Sequence, residues 1–234
     1  MKCITVLFKK HKKHLPKKIQ GTWLGELCRF GFMIFLSAWI LQGIRIMNWR
    51  EAFLKLSLTI IPAFLLILLG IPWWISFIIA HTLNFAFNGQ LFAMYTHMGA
   101  THVTPQHFLE VTEQLAQICA AKSYLSAAIA YGSLSRGCFK STSDIDLRLI
   151  PTKGELNWWK CVFFAFWLRI KSFFKGYPLD LYVYSPKVVV KRMRTDELPI
   201  MVNERNKCMM RWYPERVEFD EFVKIFTEAN IITK

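Results

Sequence analysis

The stretch "AYGSLSRGCFKSTSDIDLRL", Ala130 to Leu149, decides how this chain is read. Near its end Asp144 and Asp146 alternate with Ile145 and Leu147. Successive side chains of a strand face opposite ways, so the two carboxylates share one face while Ile145 and Leu147 enter the core. Acids held that close repel unless one takes up a proton or a cation lies between them. A hard divalent cation meets that need, since Mg²⁺ is usually held by one or two carboxylates together with substrate phosphates. A third acid on a neighbouring strand completes such a site, and "PLDLYVYS" supplies Asp180 between Leu179 and Leu181.

Upstream, Gly132 and Ser133 end one strand and open a loop. Glycine lets a backbone approach phosphate closely, and consecutive N–H groups with a hydroxyl cradle it. Arg136 and Lys140 add positive charge to the same loop. Phosphate cradle, basic loop and metal-binding acids therefore follow one another within about fifteen residues of sequence. Turn or cap roles for the aspartates fit poorly with acids flanked by Leu and Ile in strand-like runs.

Around this stretch the pattern is that of an α/β domain beginning near Thr101. Pro105–Ala121 has helical periodicity, with Thr104 as N-cap and Pro105 at the first helical position. Strands are expected over Ala127–Tyr131, Asp144–Ile150 and Leu179–Tyr184, with a long aromatic helix over Glu155–Phe174. Beyond Pro186 the pattern suggests two or three helices, with "CMMRWY" as a last short strand.

The first hundred residues differ in kind. The chain has 234 residues and a formal charge of +14, but seven lysines and no acid fall in residues 1–20, so the tail carries half the excess. That tail lacks the apolar run and small-residue cleavage site of a secretory signal. Clustered lysines beside apolar sequence are attracted to anionic headgroups, and a nucleic-acid partner is the less favoured explanation. From Trp23 to Phe92 Leu, Ile, Phe and Trp dominate, with three candidate membrane segments. These are Phe30–Leu41, Ala52–Leu69, and a third from Ile71 or Pro72 to about Phe92, with Gly70-Ile71-Pro72 as the break between the last two.

The basic tail and "RIMNWREAFLK" both belong on the cytoplasmic side by the positive-inside rule. Both conditions hold when the first segment lies in the interface or re-enters and the other two form a hairpin, which also leaves the rest of the chain cytoplasmic. His81, Asn84 and Asn88 share a helix face. They read as a polar groove for a lipid-linked substrate or, preferably, as inter-helix hydrogen bonding. The long aromatic helix interleaves Lys160, Arg169, Lys171 and Lys175. One face must cover the sheet, while the other rests in the headgroup layer or packs on the N-terminal segments. Six scattered cysteines without CxxC or Cys/His spacing fit a reducing compartment and small buried side chains.

The order Gly132-Ser133, ten intervening residues, Asp144-Ile145-Asp146 and then Asp180 resembles the nucleotidyltransferases of the DNA polymerase β type. The wording "GSLSRG…SDIDL" is most similar to the minimal nucleotidyltransferases, and the resemblance covers about 120 to 215. It implies an α/β (α+β) fold with a small mixed sheet flanked by helices, here preceded by a helical membrane-associated segment. It further implies that Asp144 and Asp146 bind two Mg²⁺ ions carrying a nucleoside triphosphate. Asp180 would complete the second metal site and help activate an acceptor hydroxyl. Gly132 and Ser133 would hold the β- and γ-phosphates, with Arg136 assisting. No feature reads a base edge, so ATP stands only as the default triphosphate.

Minimal members of that family are soluble, whereas this chain begins with apolar helices. The expected organisation is a basic cytoplasmic tail (1–20), a membrane module (21–100) and a nucleotidyltransferase domain (101–234) at the inner face of the cell membrane. The expected partners are the triphosphate, membrane lipids and a membrane-proximal acceptor (a lipid, a lipid-linked glycan or a protein), with no stable nucleic acid. Two other readings stay open: transfer to a soluble protein or small molecule, in the manner of an antitoxin or an antibiotic-modifying enzyme, and a nucleotide-sensing module without turnover.

Overall fold

The computed structural model describes residues 8–10, 20–88, 91–99, 101–132, 135, 139–194 and 197–230. Its α/β part is a five-stranded mixed sheet flanked by helices. The strands are β1 (Leu125–Tyr131), β2 (Ile145–Pro151), β3 (Leu179–Val183), β4 (Ile200–Glu204) and β5 (Val217–Glu218), in the order β3-β2-β1-β4-β5. β1 runs antiparallel to β2 and β4, whereas β2/β3 and β4/β5 are parallel pairs.

Helices precede and flank this sheet, and their labels follow chain order. α1 (Trp23–Leu27), α2 (Gly31–Leu41), α3 (Trp49–Leu68), α4 (Trp73–Asn88) and α5 (Leu91–His97) come before β1 with α6 (Pro105–Ala120). α7 (Glu155–Lys175) joins β2 to β3, α8 (Pro186–Arg192) follows β3, and α9 (Phe219–Ala229) follows β5.

Period-two alternation sorts the strand side chains onto two faces. Ile145, Leu147 and Leu149 of β2, with Leu179, Leu181 and Val183 of β3, meet the apolar stripes of α6, α7 and α9. Phe108, Leu115 and Cys119 of α6, Leu168 of α7, and Phe222 and Phe226 of α9 close that layer. The helix starts as its sequence dictates: Thr104 is the N-cap of α6, its hydroxyl accepting from His107 N, with Pro105 at the first position. The opposite face carries Ile129, Tyr131, Tyr182, Tyr184 and Met201, packed with Met209 and Tyr213.

Two expected elements differ. "CMMRWY" is a turn, not a strand. Asn206 and Lys207 adopt positive φ, and Glu204 Oε1 accepts from Met209 N at 2.6 Å, which closes the turn. The fourth strand comes just before it, at Ile200–Glu204, pairing with β1. The third apolar segment stops at Asn88 instead of Phe92, and a separate short helix begins at Leu91. Of the basic tail over 1–20, only residues 8–10 and 20 are described.

Among the described residues α3 is the one helix long and apolar enough to cross a membrane, with 20 residues and 22% of its apolar window buried. It forms an antiparallel hairpin with the 16-residue α4. The polar side chains on the inner faces of the hairpin are bonded to neighbouring helices. Asn84 donates to Lys55 O at 2.7 Å and Thr59 Oγ1 at 2.8 Å, and a His81 ring nitrogen lies 2.8 Å from Trp39 O. Lys55 Nζ donates to the carbonyls of Gln42 and Asn88.

The base of the hairpin is fastened to the free edge of β3. An edge strand leaves N–H and C=O groups without ladder partners. Here Val183 N donates to Glu51 Oε2 (3.0 Å), and Val183 O accepts from Asn48 Nδ2 (2.7 Å). Leu181 O accepts from Arg169 Nη2 of α7 at 2.5 Å. The same guanidinium bonds Glu51 Oε1 at 2.6 Å and Asn88 Oδ1 at 2.9 Å, with both charged side chains essentially buried. α7 therefore does pack on the N-terminal segments, along one side: Trp159 meets Trp49 and Phe53, and Phe173 meets Phe87.

Truncation by Glu51→Ala leaves a buried guanidinium without its carboxylate, for an expected loss of about 3–5 kcal/mol. Denaturant titration of the purified protein in micelles measures it. A loss below about 1 kcal/mol would class the pair with exposed ion pairs and contradict this account.

Candidate active site

Asp146 is the second residue of β2 and Asp180 the second residue of β3, and the parallel register sets them directly side by side. On the other flank β1 sets Tyr131 opposite Asp146. One row across three strands thus reads Tyr131, Asp146, Asp180, at the end of the sheet where β1 finishes and β2 and β3 begin. Asp144 stands just before β2, held by the turn that precedes it. Ser143 N donates to Lys140 O, Ser143 Oγ accepts from Lys140 N, and Ile145 N donates to Pro178 O. The entry to β3 is fixed in the same way. Gly176 closes α7 in the left-handed region, and Ser172 Oγ donates to Tyr177 O at 2.6 Å.

Gly132 touches the acids directly. Its φ is +82°, and a Cβ placed there would lie 1.9 Å from Asp146 Oδ2 and 2.9 Å from its Cγ. Both the backbone conformation and the approach of the carboxylate demand glycine. The structure therefore brings Gly132, Asp146 and Asp180 together, with Asp144 at the start of the same strand. Ser133 and Arg136, the other expected phosphate-binding residues, lie outside the described residues.

Arg148 was not foreseen as part of this group. It lies two residues beyond Asp146 on the same face of β2, a position that period two alone would have marked. Its Nη2 donates to Asp180 Oδ2 at 2.8 Å and approaches Asp146 Oδ1 at 3.5 Å, while its Nη1 bonds Asp180 O and Leu147 O. The guanidinium lies between the Tyr131 and Tyr182 rings, 4.8 and 4.9 Å from their centroids. A planar, always charged side chain suits that slot better than lysine would.

Electrostatics follow from the crowding. Burial first, then repulsion from Asp144 and Asp180, pushes the Asp146 carboxyl up to about 9, against the pull of Arg148. Burial likewise raises the Tyr131 phenol to about 12. A carboxyl so displaced marks a place where charge is short of compensation, which is how cation-binding acid clusters are built. Among the described residues no set of three or more His, Cys, Asp and Glu side chains forms a ready metal cage. The donor set that is present, two adjoining carboxylates with a third just upstream, fits a hard cation that completes its shell with phosphate oxygens and water.

The segment between α2 and α3 lies beside the site. Gly43, at φ +72°, is close enough to Tyr182 that a Cβ would come within 2.9 Å of its hydroxyl. Ile46 O accepts from Tyr184 Oη and from Arg192 Nη1, and Met47 packs on the same sheet face. The apolar N-terminal region thus reaches to within two residues of Asp180 along β3.

Compared with known proteins, the chain matches no family model and no curated protein sequence.

Because the folded Asp146 holds its proton to about 9 while an unfolded carboxyl loses it near about 4, the folded state binds more protons between those values. Stability of the metal-free protein therefore falls as pH rises from about 4 through about 9. Asp146→Asn removes most of that slope and unfolds at a higher temperature than the parent at pH 8, as thermal melts across pH in chelator report. Equal slopes for both proteins would contradict the assignment.

Proposed function

We propose that the chain is a membrane-attached, Mg²⁺-dependent nucleotidyltransferase of the DNA polymerase β type, which moves a nucleoside monophosphate from a nucleoside triphosphate to a hydroxyl of a membrane-proximal acceptor. The observation that carries the proposal is the side-by-side register of Asp146 and Asp180, with Gly132 pressed against Asp146 and Asp144 just upstream. Apart from Ser133, which lies outside the described residues, these are the residues on which the resemblance rests, at one end of one sheet.

Asp144 and Asp146 would hold the cation, and Asp180 would complete the site from β3. When bound, Mg²⁺ supplies neutralising charge to the triphosphate and polarises its phosphoryl oxygens. The chain's own residues do the positioning. Gly132 leaves room for the Asp146 carboxylate against the backbone that would carry phosphate. Arg148 fixes the Asp180 carboxylate through the Nη2–Oδ2 bond, so that Asp180 faces the acceptor hydroxyl as a proton acceptor. The hydroxyl oxygen forms a bond to the α-phosphorus as the bond to the bridging oxygen breaks. Pyrophosphate leaves, and the hydroxyl proton passes to the carboxylate. Placement and electrostatics account for most of the acceleration in such transfers.

The membrane-proximal acceptor is favoured over a soluble one by the Gly43–Met47 segment, which joins the apolar helices to the sheet face beside Asp180. Catalysis on the cytoplasmic side follows from the supply of triphosphate there.

Membranes containing the protein, incubated with α-labelled triphosphates and Mg²⁺, are expected to yield label in the organic-extractable or protein fraction. The Asp144→Asn/Asp146→Asn double variant is expected to lower that rate by at least about 10³-fold, the scale set by losing electrostatic stabilisation of a transition state. Full activity in the purified double variant would eliminate this mechanism.

A further inference from the structure

We infer that the α3–α4 hairpin is a wedge that enters and leaves the bilayer through the same leaflet, ending in the hydrocarbon without reaching the far headgroups. The inference rests on the membrane attachment in the reading above and not on its chemistry.

The base of the hairpin sets its depth. Arg50 of α3 donates to Glu155 through Nε at 2.9 Å, and the Glu155 side chain is 69% exposed, so this ion pair belongs at the aqueous or headgroup level. Glu51 and Asn48 are bonded to β3 at the same height, which prevents the base from sliding inward. From Arg50 to Leu69 the helix rises about 28 Å at about 1.5 Å per residue. Twenty residues cover a hydrocarbon core of about 30 Å when they begin at its edge, but a helix that begins at headgroup level needs about 40 Å to reach the far headgroups. The return helix is shorter still, with 16 residues. Tilting only reduces the reach.

The tip is built for hydrocarbon. Leu68 to Trp74 reads "LLGIPWW", with no charged, amide or hydroxyl side chain and only the indole N–H groups of Trp73 and Trp74 as polar atoms. The outgoing helix closes on itself: Leu69 N bonds Leu65 O, Gly70 N bonds Ile67 O, and Ile71 N bonds Leu66 O. Pro72 has no donor, and Ser76 Oγ donates to Ile71 O at 3.2 Å.

α7 forms the shelf that stops insertion. Beyond the side that packs on α3 and α4, it exposes Leu156, Phe163, Trp167 and Phe174. Lys160 and Lys175 are interleaved on the same exposed surface. This stripe adjoins the base of the hairpin through Trp159, so the two apolar surfaces are continuous. Aromatic rings with lysines that extend toward phosphate suit the headgroup layer of an anionic leaflet.

The test uses the full chain in sealed proteoliposomes of phosphatidylethanolamine and phosphatidylglycerol, with a membrane-impermeant polyethylene-glycol maleimide. In a variant with Cys3, Cys28 and Cys138 replaced by Ser, exposed Cys208 on the α/β part reports which side that part occupies, while buried Cys119 and Cys161 stay unlabelled in a folded protein. Leu69→Cys adds one site at the tip, where the native side chain is 77% exposed. The expected result is one extra gel shift for Leu69→Cys only after detergent is added, from neither side of intact vesicles. Labelling of the tip from the side opposite Cys208 would show a spanning hairpin and overturn the inference. Labelling from the same side as Cys208, or recovery of the protein as a soluble dimer, would overturn it equally. No nucleotide is involved, so the result stands apart from whether transfer activity is found.

Discussion

Arg169 is the side chain on which the arrangement of the molecule depends. Its guanidinium sits inside the protein with bonds to Glu51 of α3, Asn88 of α4 and the Leu181 carbonyl of β3. A buried charge is tolerated only when paired and hydrogen-bonded, so each of those three groups is held where Arg169 needs it. Two apolar helices, the long aromatic helix and the edge strand are thereby locked in one geometry. The hairpin is a structural part of the α/β unit, because it satisfies the outer edge of the strand that carries Asp180.

The candidate site follows from that edge. Parallel pairing of β2 and β3 places Asp146 beside Asp180, and one residue of slip would send Asp180 to the helix-covered face. Arg148 between the two tyrosine rings offsets part of the negative charge, and Gly132 gives up its side chain to the Asp146 carboxylate. What remains is a carboxyl driven toward protonation by burial and by its neighbours. Carboxyls perturbed in this way cluster at functional sites.

The strand alternation around Asp144, Asp146 and Asp180, the capped helix after Thr104 and the long helix after Glu155 were legible because they rest on local periodicity and capping chemistry. Arg148 was equally legible in principle, since the alternation that pairs Asp144 with Asp146 extends to it. Ile200–Glu204 was harder: it is a short strand beside a run of Met, Trp and Tyr that looks as apolar as a strand, and only pairing with β1 separates them. Glu51 and Arg169 gave no sign of their role. Their contact spans 118 residues, and in sequence each looks like an ordinary charge flanking or interrupting an apolar run. The hydrogen bonds of His81, Asn84 and Asn88 to neighbouring helices agree with the preferred reading of those residues.

Equilibrium binding of an α,β-methylene nucleoside triphosphate, which cannot be transferred, tests the central claim most directly. Titration into the purified protein is expected to show saturable binding that requires Mg²⁺ and is abolished by Asp146→Asn. Binding that is indifferent to Mg²⁺ and to Asp146, or no binding with any of the common bases, would contradict the assignment of this carboxylate cluster to a triphosphate–metal site.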